Sequence, residues 1–178
     1  RVIHATADFD FAKLYRNGII FSVSAIESAF EALKKRRYIV VDVDMVQSGI
    51  NKKSAAKIGT SVICNISNKD VLNISKNENK TRSKVAMRYS SKEVDGGIVV
   101  IGNAPTALYE LVNMIKEGVA RPLLVVGIPV GFVSAEESKL ELSKTNIEFI
   151  TNIGRKGGSP AASSIINALM LMYINNLD

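Results

Sequence analysis

The chain has 178 residues, 47% apolar and 22% charged, which suits one folded soluble domain and is too apolar for a disordered chain. A single cysteine, Cys64, and a single histidine, His4, exclude an internal disulfide, a four-cysteine zinc centre and any site needing two imidazoles. The formal charge of +6 is uneven: residues 69–92 hold seven Lys or Arg against two acids, whereas residues 101–178 hold six against seven. Such a basic stretch attracts a polyanion, and its alternative reading is a solvated lysine-rich face. The longest nearly unbroken apolar run, residues 123–133, is interrupted by Gly127, Pro129 and Gly131. It falls well short of the roughly 20 residues of a membrane span. With no signal peptide visible, the expectation is a cytoplasmic protein formed by one domain over residues 1–178.

In chain order, Arg1 and His4 stand at i, i+3 and would share one helix face. His4 is the one side chain whose ordinary pKa, near 6.5, suits proton transfer at neutral pH; a lone histidine can equally be structural. Residues 24–37 have helical period behind a capping Ser24. Residues 38–43 are a β-branched run that reads as a buried strand, closed by Asp42 and Asp44, a pair that could hold a metal or merely cap locally. Residues 60–64 read as the next strand. Residues 67–80, rich in Asn and Lys, read as the most loop-like stretch, and residues 83–94 as a helix.

Residues 97–102 form a further strand, and Pro105 opens a helix to residue 116. Between them Asn103 and Thr106 offer polar groups where a parallel strand ends, the usual place for a ligand in such sheets. Residues 122–127 form another strand. Ser134 and Glu137 make a capping-box pattern. Residues 147–150 are a short strand candidate. The string GRKGGS at 154–159, opening the apolar helix 160–174, reads either as an anion-binding loop with Arg155 and Lys156 or as a glycine turn. Alternating strands and helices predict an α/β fold: three layers, αβα, around a mostly parallel sheet.

Eight strings together resemble the precorrin-8X methylmutase family of cobalamin biosynthesis. They are RVIH at 1–4, DVDMV at 42–46, TRS at 81–83, GNAPTAL at 102–108, PVGFV at 129–133, ESK at 137–139, GRKGGS at 154–159 and NAL at 167–169. They run in the family's order over nearly the whole chain. The family pattern has a further N-terminal segment ahead of Arg1.

The resemblance implies an isomerase that moves a methyl group from C-11 to C-12 of the corrin ring, with His4 as proton donor and acceptor. It implies a polycarboxylate tetrapyrrole substrate, which gives the basic residues a use. Arg1 is matched to a substrate contact; Arg82, Asn103, Thr106, Arg155 and Lys156 follow as substrate-binding from motif position. It implies no protein metal site and no cofactor, since any cobalt arrives within the substrate. It further implies a homodimer, for which Met170 and Met172 on the last helix offer an apolar face. The competing readings are a non-catalytic tetrapyrrole carrier and a nucleic-acid-binding domain using residues 69–92. Against the latter, Tyr89 is the only aromatic in that stretch, so no base-stacking platform is apparent.

Overall fold

The computed structural model describes residues 1–13 and 18–177. The helices are α1 (Val2–Thr6), α2 (Ala25–Lys34), α3 (Asp44–Gly49), α4 (Lys52–Ile58), α5 (Lys69–Asn77), α6 (Arg82–Tyr89), α7 (Ser91–Val94), α8 (Pro105–Lys116), α9 (Ala135–Ser143) and α10 (Ser159–Asn175). A 3-10 turn covers Phe9–Ala12. The strands are β1 (Ile19–Phe21), β2 (Ile39–Val41), β3 (Val62–Cys64), β4 (Ile98–Ile101), β5 (Leu124–Gly127) and β6 (Phe149–Asn152). They form one sheet in the order β1-β6-β5-β4-β2-β3. Every pairing is parallel except that of β1 with β6.

The central strands are apolar on both faces because both faces are covered. Ile39, Val41, Ile98, Val100, Leu124 and Val126 pack into one core with α2 and α10. The alternate residues Val40, Val99, Ile101 and Val125 pack into a second core with α8 and Leu142 of α9. This is the expected three-layer αβα arrangement.

The chain leaves β2 toward β3 through α3 and α4 on the first face. It leaves β4 toward β5 through α8 on the second. Adjacent strands β2 and β4 therefore send their chains to opposite sides. Their carboxyl ends open the crevice at which ligands bind in sheets of this kind.

Several local expectations change. Residues 69–77 are helical: Asn68 caps the helix by accepting from the Asp70 N–H, and Val71 and Ile74 lie against Val85 and Ala86. The spacing of these apolar residues outweighs their Asn- and Lys-rich surroundings. The expected helix over 83–94 breaks into α6 and α7 at Ser90, and Thr81 caps the first piece. The capping box at Ser134 is not made, because that residue is left-handed (φ 63°) and its side chain bonds no helix N–H. Ser24 also makes no side-chain cap. Strand β6 lies two residues later than expected, and β1 had no clear period-2 signal. Met170 is wholly buried, so much of the apolar character of α10 serves the core; Met172 remains 43% exposed.

Candidate functional site at the carboxyl edge of the sheet

Asp42 follows β2 directly and is buried at the crevice. Its carboxylate accepts from the backbone N–H groups of Gly102, Asn103 and Ala104 at 3.0, 2.8 and 2.8 Å. Burial pushes its pKa up and these three donors pull it back. Asp42 and Asp44 do not act as a pair: Asp44 is exposed and accepts from the Ser67 hydroxyl at 3.1 Å. Gly102 is required here, since a Cβ would lie 2.8 Å from Val46 and 2.9 Å from the Ser159 backbone.

The ordered loop presents Asn103, which is exposed, and leads into α8, whose first turn carries Thr106, its hydroxyl sharing a 2.7 Å hydrogen bond with Ser83. That bond ties the start of α8 to the start of α6, where Arg82 is exposed. Arg82, Asn103 and Thr106 are thus brought to one end of β4. Arg1 stands at the N-cap position of α1, makes no side-chain cap and is exposed, as is His4 one turn on. Helix α1 lies along α10. Ala5 shares a cleft of about 380 Å³ with Met45, Gly49, Ser159, Pro160 and Ser163, beside the crevice.

The glycine-rich turn between β6 and α10 completes the edge. The exposed Arg155 guanidinium stands 5.9 Å from the ring centroid of Phe132, which is 87% exposed. Gly157 admits no side chain, for a Cβ would approach the Ile128 carbonyl oxygen to 2.4 Å. The expected ligand residue Lys156 has its ammonium between Asp8 and Asp10, at 2.6 Å from each. This is a contact that sequence spacing across the whole chain could not reveal. Of the basic stretch, Lys84 and Arg88 both reach the buried Glu110, Arg88 also reaches Glu117 at 2.9 Å, and Lys80 pairs with Glu78. Much of that charge is answered within the fold, so the stretch is not one continuous anion-attracting face.

Sequence reasoning assigned no role to Lys139, which is 2% exposed. It donates to the carbonyls of Gly154 and Lys156 at 2.8 and 2.6 Å, with no ion-pair partner among the described residues. Burial lowers its pKa to about 8. Between about pH 8 and 10.5 the unfolded chain holds a proton that the folded one has lost, so stability rises with pH there. The thiol of Cys64, pushed up to about 12 chiefly by burial, acts in the opposite sense above pH 9. Comparison with Lys139→Met isolates the lysine. From pH 7.5 to 9.5, parental stability in urea should gain about 2 kcal/mol relative to the variant. Parallel behaviour of the two proteins would show that the buried amine is not displaced from its ordinary range.

These features define a doubly wound α/β protein with its polar loops gathered at the switch point of the sheet. The precorrin-8X methylmutase (CbiC) family model matches residues 1–172. A cobalt-precorrin-8 methylmutase of Priestia megaterium is 48% identical over 172 residues, covering 97% of this chain and 75% of the relative. One from Methanocaldococcus jannaschii is 44% identical over 176 residues, 99% of this chain and 78% of the relative. The crystal structure of precorrin-8X methylmutase from Thermus thermophilus superposes with a TM-score of 0.88 at 35% identity, covering 98% of this chain and 84% of that one. The chain belongs to the precorrin-8X methylmutase family, and it is a methyl-transferring isomerase of cobalamin biosynthesis. Among the described residues, no helix is long and apolar enough to cross a membrane.

Proposed function

We propose that this isomerase moves a methyl group from C-11 to C-12 of precorrin-8, with the cobalt-containing form as its substrate. The whole-chain family match carries the reading. The cobalt form is supported by relatives named for it at 48% and 44% identity, against 37% for one named precorrin-8X methylmutase from Pseudomonas aeruginosa. The bond from C-11 to the methyl carbon breaks as the bond to C-12 forms, and the ring's conjugation shifts with it. His4 gives a proton to a ring-C nitrogen and takes it back, so nothing is oxidised and no cofactor is needed. Positioned proton transfer supplies about 10²–10⁴-fold, and holding one macrocycle conformation supplies the rest. Conversion of cobalt-precorrin-8 to cobyrinic acid, followed by absorbance with the methyl position read by NMR because the two isomers have the same mass, tests the assignment. An unchanged spectrum with ligand bound would instead identify a carrier.

Arg1, Arg82 and Arg155 supply guanidinium forks to the ring carboxylates, with Asn103 and Thr106 as neutral partners. None of the three arginines is held in an ion pair among the described residues. A charge-assisted hydrogen bond is worth roughly 1.5–3 kcal/mol. The triple alanine variant should therefore bind corrinoid at least about tenfold more weakly. Parental affinity would place the pocket elsewhere. The protein acts as a cytoplasmic homodimer. Phe132 and Val133, 87% and 81% exposed beside the basic turn, offer an apolar surface for the partner. Light scattering at micromolar concentration should give twice the chain mass of 19.3 kDa, and the chain mass alone would count against the dimer.

A further inference from the structure

The segment that carries His4 is only partly buried. Helix α1 lays Val2 partly buried against the core beside α10 but has no fully buried residue, and the 3-10 turn that follows buries only Phe11. The β6–α10 turn, by contrast, is fixed from beneath. The Lys156 carbonyl accepts from Lys139 and, at 2.9 Å, from the Asn152 amide. The flanking backbone is tied by Gly131 N–H to the Arg155 carbonyl and by Gly158 N–H to the Ile128 carbonyl. Residue 156 is therefore a fixed base, and its ammonium reaches across to Asp8 and Asp10.

Those carboxylates are themselves arranged to receive it. The other oxygen of Asp8 accepts the Asp10 N–H at 2.9 Å, and the other oxygen of Asp10 is held by Lys13. The lysine hydrogen bonds hold both acids below their ordinary pKa, Asp10 at about 2, so both are ionised near neutral pH. We propose that Lys156, Asp8 and Asp10 form a clasp that positions His4 over the site, making Lys156 a positioning residue rather than a ligand for the substrate's carboxylates. The proposal rests on the reading of His4 as the acid–base group. A half-exposed pair contributes little to global stability. Its effect is on the placement of the short α1 segment, where small displacements of a reacting group are costly.

The test compares Lys156→Met, the double variant Asp8→Asn/Asp10→Asn, and the three changes combined, in the full chain. Hydrogen–deuterium exchange at the Ala5 amide, which donates to the Arg1 carbonyl, should accelerate about tenfold in each, with thermal stability little changed. Turnover of cobalt-precorrin-8 should fall about tenfold at a KM within about twofold of parental. The combined variant should be no worse than either part, because all three groups serve one contact. Lys156→Arg, which keeps the charge, should retain most activity. A raised KM with parental kcat for Lys156→Met, alongside parental constants for the double carboxylate variant, would make Lys156 a substrate ligand and overturn the clasp. Unchanged exchange in both variants would overturn it as well. Failure of the acid–base reading has a separate signature: a folded His4→Ala variant with parental turnover.

Discussion

His4→Ala should turn over at least about a hundredfold more slowly than the parent while keeping its fold and most of its affinity for substrate. The proposed mechanism calls for a group that both gives and takes a proton near neutral pH. No second imidazole exists to replace this one. Among nearby acids, Asp8 and Asp10 are bound to Lys156 and held below the ordinary carboxylate range, which makes them poor proton donors there. The fold should survive because His4 itself is exposed, on a helix with no fully buried residue. Affinity should survive because binding is assigned to the arginines and the strand-end loops. His4→Asn should behave like the alanine variant, as it is polar but carries no transferable proton. Single-turnover absorbance, with circular dichroism to confirm folding, decides the matter. Near-parental turnover would leave the methyl shift to be driven by conformation alone.

Asp42→Ala should cost roughly 3–5 kcal/mol of stability, a large part of the 5–15 kcal/mol that a domain of this kind possesses. The reason is the number of donors left behind. Three backbone N–H groups at the start of α8 converge on this one carboxylate, and Gly102 is itself buried. Each orphaned donor carries a desolvation penalty of about 1–3 kcal/mol, reduced where water enters. Asp42→Asn keeps one acceptor oxygen and should lose roughly half as much. Turnover should fall in both, because Asn103 and Thr106 take their places from this loop. Urea unfolding followed by circular dichroism measures the loss. If Asp42→Ala unfolds within about 1 kcal/mol of the parent, the loop is ordered by something other than this carboxylate.

The sequence by itself determined the central strands and the chemistry available at their ends. β2, β4 and β5 are runs of β-branched or leucine residues bounded by polar and glycine positions, a local signal that needs no partner to be read. His4, Asn103, Thr106 and Arg155 stand out as candidates for the same reason, each lying within a short distinctive string. What only the tertiary structure decided are contacts between residues far apart in the chain. Lys156 meets Asp8 across 148 positions and Asp42 meets Ala104 across 62. Lys139 looks like an ordinary surface lysine on α9 until the β6–α10 turn closes over it. Strand β1 has three residues and no strong alternation, and exists because β6 offers it an open edge. Residues 69–77 turned helical because Val71 and Ile74 found Val85 and Ala86 to pack against. In each case the deciding energy comes from a partner fixed by strand order and layer packing, and neither composition nor spacing along one segment carries that information.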